Sequence, residues 1–240
     1  MIRMLSGRDV DVAGNVKRVT EQIARAADRR GIDARTVKLL AVTKTVGADL
    51  VAQALKAGVT CLGENRVQEG VAKRSELAGQ VFEFHLIGPL QKNKVNKAVD
   101  CFDCIETIES VELAQRINRA CEALGKQMAV LVQINLAREP SKSGIAEEDL
   151  AGLVQQVRAM RYLSLRGLMA IPPPFENSEE VRPFFLRMKE LLMLLNAEHP
   201  PTSALHELSM GMSHDFPVAI EEGATIVRIG AAIFGERPLP

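Results

Sequence analysis

Apolar extended runs and amphipathic helical stretches alternate regularly along this chain, and that alternation limits the fold more than any other feature. An opening helix over about Val10–Arg30 carries Val12, Val16, Val19, Ile23 and Ala27 on one face. Eight strand–helix units follow. The strands are read at Val37–Thr43, Thr60–Gly63, Phe82–Ile87, Cys101–Thr107, Met128–Asn135, Leu163–Ile171, Ala204–Ser209 and Thr225–Ile229. A helix follows each, among them one from about Gln91, one capped by Ser213 and ended by Gly223, and a short last one from Ala231. The strands are continuous apolar runs, so the sheet is expected to be parallel and buried on both faces. Eight units predict closure into a (β/α)8 TIM barrel. An open doubly wound sheet is the runner-up, but Thr43-Lys44-Thr45-Val46-Gly47 stands where its glycine fingerprint belongs. Without linker, fixed repeat or low-complexity tract, residues 1–240 read as a single domain, with residues 1–34 an extra N-terminal helix packed on the barrel.

Hydrophobic residues make up 47% of the chain, enough for a sizeable core. Lys plus Arg and Asp plus Glu stand at 30 each, so no net charge argues for nucleic acid or an anionic membrane as partner. No apolar stretch is long enough to span a bilayer, and Met1–Gly7 does not resemble a secretory signal. The chain is read as a cytoplasmic monomer. Four cysteines make no disulfide framework in a chain of this length. Cys101 and Cys104 are placed on one strand, where residues three apart face opposite sides; they are expected to be buried small hydrophobes rather than metal ligands. Cys61 and Cys121 lack metal-type spacing.

In such a barrel the reactive groups gather at the C-terminal ends of the strands, and phosphate commonly binds after strands seven and eight. Lys44 ends the first strand, Asn65 follows the second, and His85 and Met169 lie near the ends of the third and sixth. Ser209-Met210-Gly211-Met212-Ser213 follow the seventh. Arg228 is almost the last residue of the eighth, with Gly230 and Ala231 opening the final helix. Small residues at strand-to-helix turns leave outward-pointing N–H donors, which is a phosphate cradle. Each residue alone has a plainer reading: a strand-end lysine reaching solvent, simple turn formers, a satisfied core histidine. Together, a lysine and a phosphate cradle on one mouth suggest a phosphorylated aldehyde held as a Schiff base. Desolvation and neighbouring cations favour the neutral, nucleophilic amine. Arg228, with no obvious acidic neighbour, is read as meeting a ligand.

Seven ordered segments carry a family resemblance from about Val37 to Gly235. They are Leu40–Lys44, Gly63–Glu69, His85–Lys94, Ser141–Gly144, Arg166–Ile171, Leu208–Ser213 and Val227–Gly235. In these the chain resembles the pyridoxal phosphate homeostasis proteins, the YggS/PROSC group. The resemblance implies a barrel like the N-terminal domain of fold-type III pyridoxal 5'-phosphate (PLP) enzymes. It implies Lys44 as the Schiff-base lysine, Ser209, Gly211, Ser213, Gly230 and Ala231 around the phosphate, and Arg228 facing the pyridine nitrogen. Asn65, His85, Met169 and Met210 complete the expected cofactor-binding set, with no catalytic or metal-ligating residue. Arg66 stands where the family often has an aromatic residue, and Ala231 where it often has a hydroxyl residue.

Three functions compete: a PLP carrier and regulator with little turnover, a PLP enzyme such as an amino-acid racemase, and a cofactor-free Schiff-base aldolase. A racemase needs an acid/base group on each face of its substrate. The one tyrosine, Tyr162, begins the sixth strand at the opposite end from the chemistry, and the chain closes at Pro240 soon after the last unit. An arginine beside the pyridine nitrogen would also weaken the ring as an electron sink. The expectation is therefore a protein that holds PLP reversibly, supports PLP and amino-acid homeostasis, and passes the cofactor to free amines or to apo PLP-dependent enzymes as acceptors.

Overall fold

The computed structural model describes residues 10–139, 143–197 and 199–235. Eight parallel strands close in sequence order: β1 (Lys38–Val42), β2 (Cys61–Glu64), β3 (Glu83–Leu86), β4 (Cys104–Ile108), β5 (Met128–Ile134), β6 (Leu163–Ala170), β7 (Glu207–Ser209) and β8 (Ile226–Ile229), the last pairing back to β1. The helices are α1 (Val12–Arg30), α2 (Ala48–Lys56), α3 (Val67–Glu76), α4 (Val95–Cys101), α5 (Val111–Leu124), α6 (Leu150–Arg158), α7 (Arg182–Ala197), α8 (Phe216–Glu222) and α9 (Ala231–Phe234). The expected barrel is therefore the observed one. Among the described residues, no helix is long and apolar enough to cross a membrane.

Strand parity sorts the core into two layers. Leu40, Val42, Cys61, Ile87, Cys104, Ala129, Leu131, Met169 and Ile226 fill the barrel interior. The alternate residues, such as Ala41, Leu62, Phe84, Ile105, Val130 and Val227, face the helices. Because side chains alternate with period two, His85, Glu106 and Arg228 share the inward face with Ile87, Cys104 and Ile226. Charged groups are thus carried inside the barrel by strand geometry alone.

The opening helix is α1, begun by Asp11, whose carboxylate accepts from Gly14 N at 2.8 Å, and ended by Gly31 at φ 73°. Its stripe of Val12, Val16, Val19, Ile23, Ala26 and Ala27 is buried. Asn15 Nδ2 donates to Ile233 O at 2.8 Å, and Arg29 pairs with Glu221 at 2.6 Å. The helix therefore braces the last unit of the barrel.

Three local expectations are corrected. Cys101 ends α4 instead of sharing a strand with Cys104, because Val95, Ala98 and Val99 bury a helical face up to that point. Cys101 and Cys104 are nonetheless buried, as expected, and so are Cys61 and Cys121. The seventh strand begins at Glu207 rather than Ala204, since the Asn196 side chain takes both backbone groups of Leu205 (2.8 and 2.9 Å) and keeps it out of the ladder. The residue at the start of α8 is Asp215, and Ser213 is used elsewhere.

Candidate functional site

Adjacent strands place the two halves of the site together. Leu40 of β1 pairs with Arg228 of β8, and Ala41 with Ile229. The chain then leaves both strands at the same end, into Thr43-Lys44-Thr45 on one side and Gly230-Ala231 on the other. Lys44 is half-buried, two residues past β1. It continues the parity of Leu40 and Val42, which are interior residues. Thr45 next to it has φ 61°, a left-handed conformation rare for a β-branched residue and of a kind that clusters at functional sites.

A buried ion pair underlies this turn. Lys73 of α3 reaches Glu64 at the end of β2, and its Nζ also donates to the carbonyl of Thr43 at 2.6 Å. Thr43 Oγ1 lies 2.9 Å from Glu64 Oε1, and Glu64 Oε2 accepts from Asn65 N at 3.2 Å. Thr43, Glu64 and Lys73 are all buried. One cluster thus pins the backbone on the N-terminal side of both Lys44 and Asn65. Asn65 Oδ1 is itself buried with no hydrogen-bond partner among the described residues. Arg66 is exposed, 3.5 Å from Glu69.

The turns after β7 and β8 form the second half. Gly211 has φ 89°, and a Cβ there would lie 2.6 Å from Ala219 Cβ and 3.0 Å from Phe216 Cα. Only glycine satisfies both constraints. Ser213 Oγ accepts from the N–H groups of Gly230 and Ala232 at 3.3 and 3.4 Å, with Ala231 between them. An oxygen already stands where these donors converge. Met212 N donates to Asp215 Oδ1 at 2.6 Å, and burial pushes the Asp215 carboxyl up. Met210 faces the helix layer, with its N–H taken by Ile226 O at 3.1 Å.

A polar column fills the barrel below. Arg228, 3% exposed, donates to Ser209 Oγ and Ala170 O, both at 2.8 Å. Ser209 Oγ donates to Glu106 Oε2 at 2.5 Å, and Glu106 Oε1 lies 2.5 Å from His85 Nδ1. His85 Nε2 is 3.0 Å from Glu83 Oε1. At the foot, Glu83 pairs with Lys38 at 2.6 Å, and Arg166 stands 3.7 Å from Glu83 and 3.6 Å from Glu207. Burial alone would lower the His85 imidazolium's pKa, yet its neighbours, the Cys104 and Cys61 sulfurs and Glu106, hold it well above its ordinary value. Burial pushes both thiols up, so they stay neutral, and the carboxylates are the charges that hold this proton. Burial opposes the charge of Glu106 as well, but His85, Arg228 and Ser209 bring its carboxyl below its ordinary value.

The family model described as the alanine racemase N-terminal domain matches residues 15–238. The pyridoxal phosphate homeostasis protein of Escherichia coli is 43% identical over 232 residues, covering 95% of this chain and 97% of the relative. That of Pseudomonas aeruginosa is 42% identical over 226 residues, covering 94% and 96%. The chain belongs to the pyridoxal phosphate homeostasis protein family. PipY of Synechococcus elongatus, solved with PLP bound, superposes with a TM-score of 0.78 at 36% identity, covering 89% of this chain and all (100%) of PipY. The alanine racemase of Clostridium difficile matches with a TM-score of 0.70 at 18% identity, covering 94% of this chain and 58% of the racemase; this likeness speaks for the fold alone.

Apart from Met210, which faces the helix layer, the expected site residues fall into two groups. Lys44, Asn65, Gly211, Ser213, Gly230 and Ala231 lie in the loops and turns at the mouth. His85, Met169, Ser209 and Arg228 are buried in the barrel. Ser141 and Lys142 of one family segment lie outside the described residues. Sequence reading missed Glu106, so the expectation that Arg228 lacks an acidic neighbour is corrected: a carboxylate stands one hydroxyl away. The signal was present, because an acidic residue in the apolar run Cys104–Ile108 must be paired if the run is a buried strand. Lys73 gave no such signal.

Proposed function

We propose that this chain binds PLP, holds it reversibly on Lys44, and serves intracellular PLP and amino-acid homeostasis with little or no turnover. The reading rests on one observation: Lys44 and the donor-lined turns after β7 and β8 leave neighbouring strands at the same end of the barrel. The residues present fit the cofactor's chemistry. Its phosphate would meet the N–H groups of Gly230, Ala231 and Ala232 and the hydroxyl of Ser213, the last compensating for the missing hydroxyl at Ala231. The guanidinium of Arg228 would face the ring nitrogen and disfavour its protonation. The orphaned acceptor of Asn65 supplies one more polar contact. Bound there, PLP supplies an aldehyde that a lysine amine takes up as a Schiff base with loss of water and yields to a free amine. That reversibility suits delivery to amines and apo PLP-dependent enzymes in the cytoplasm.

The racemase alternative needs a second acid/base group at the mouth. Tyr162 directly precedes β6, at the foot, and its N–H is held by Asn118 Oδ1 at 3.0 Å. Glu106 and His85, in the column beneath Arg228, are fully buried and paired with each other.

Borohydride reduction of PLP-treated protein followed by peptide mass mapping tests the assignment. A reduced adduct on Lys44 is expected; an adduct on other lysines alone, or none, overturns it. A linear increase of product with time at substoichiometric protein, with a defined amino acid, would overturn the low-turnover part.

A further inference from the structure

The mouth chemistry uses Arg228, but nothing so far uses the column beneath it. That column crosses five strands and alternates in sign: Arg228, Glu106, His85, Glu83, Lys38. Ser209 is its only uncharged link. An unpaired charge at the depth of Arg228, Glu106 or His85 would cost several kcal/mol, so these three depend on their neighbours. Arginine presents five N–H donors in a fixed fork. Two groups on Arg228, Nη1 and Nη2, are tied to Ser209 and Ala170 O, which fixes the plane of the guanidinium.

We infer that Glu106 and His85 are positioning residues for the cofactor: they set the orientation and the local field of Arg228 through Ser209 without touching the ligand. This deepens the PLP reading and rests on it. Glu106, with both oxygens engaged, accepts from Ser209 and so leaves the hydroxyl's lone pairs turned to Arg228 Nη1. His85 in turn neutralises Glu106. The groups facing Arg228 are Glu106 and Asp215; those facing His85 are Glu83, Glu106, Cys61 and Cys104. The two substitutions that change charge but keep shape therefore act in opposite directions. Glu106→Gln removes one of the two carboxylates that face Arg228, so the mouth becomes more positive and protonation of the bound cofactor becomes harder. His85→Asn keeps a donor toward Glu106 but removes a positive charge, so the mouth becomes more negative and protonation becomes easier.

The test is a spectrophotometric pH titration of PLP-loaded wild type, Glu106→Gln, His85→Asn and Ser209→Ala. The expected result is a midpoint lowered in Glu106→Gln and raised in His85→Asn, each by about threefold or more in proton affinity. Ser209→Ala breaks the link and is expected to weaken PLP retention several-fold. A merely structural role would lower melting temperatures without shifting midpoints in opposite senses. The ligand-free protein offers a second readout, should a charge variant fail to fold. The His85 ring N–H proton, followed by NMR, should shift in Ser209→Ala and again in wild type when PLP is added. Wild type that gives no PLP spectrum would sink the cofactor reading. Wild type that gives one, with folded variants that titrate alike and a His85 signal indifferent to both Ser209→Ala and ligand, would sink this inference.

Discussion

The two ends of the barrel handle polar groups in opposite ways. At the foot, Lys38, Glu83, Arg166 and Glu207 turn toward one another, and charge closes on charge. At the mouth, backbone donors converge on a single hydroxyl, and Asn65 Oδ1 has no partner among the described residues. Each end also leaves a buried oxygen without a hydrogen-bond partner among the described residues, Glu207 Oε2 at the foot and Asn65 Oδ1 at the mouth, so the difference is that the foot joins full charges and the mouth gathers backbone donors. Polar residues alone therefore do not mark a site; backbone donors that converge at the C-terminal ends of barrel strands are the stronger sign.

Two lysines at the ends of the same strand give the sharpest way to break this comparison. Lys44→Ala is expected to abolish the borohydride-trapped PLP adduct, whereas Lys38→Ala at the foot should retain it, both read by intact mass. Equal loss in the two would erase the distinction. Next in size is Lys73→Ala, which strands the buried Glu64 carboxylate. It should cost about 3–5 kcal/mol, seen as a fall of roughly 10 °C in Tm. Arg166→Ala, at the more exposed foot, should cost less than about 1 kcal/mol. A third substitution, Gly211→Ala, meets both a left-handed φ and the Ala219 side chain. It should cost about 1–3 kcal/mol and also weaken PLP binding, measured by equilibrium dialysis. Unchanged binding would detach that turn from the cradle.

A further small effect depends on pH. The Glu83 carboxyl is held down to about 2 by the close His85 ring, with Lys38 helping it against burial. A folded-state value below the ordinary 4.5 means that its stabilising contribution is complete above that pH and is lost as the pH falls from 4.5 toward about 2. Glu83→Gln should thus be less stable than wild type near neutrality, by about 1 kcal/mol after allowing for solvent screening. The gap should narrow as acid is added, as chemical denaturation at several pH values would reveal. A gap that widens in acid contradicts the pairing at the foot.

Much of this was legible in the residues. The apolar runs located all eight strands, and the position of Lys44 and Arg228 near strand ends followed from the same pattern. Ser213 was misread as a helix cap because hydroxyl residues before helices usually cap them; here two N–H groups from another turn claim it. Cys101 was put on a strand because apolar run length does not separate a buried strand from the end of a short buried helix. Lys73 was passed over, since a lysine on an amphipathic helix is ordinarily solvent-facing.

Local order, strand parity and the direction of every β-to-α turn are properties of neighbouring residues, so the chain alone determined the barrel and the end at which Lys44 and the small-residue turns lie. The partners of each buried charge are not local. Ser209 and Glu106 are more than a hundred positions apart (103) and meet only because closure brings β4 and β7 across a common interior. Tertiary structure decided which carboxylate steadies Arg228 and which lysine pins the turn at Lys44, because electrostatic pairing acts through space at a few ångströms and does not depend on separation along the chain.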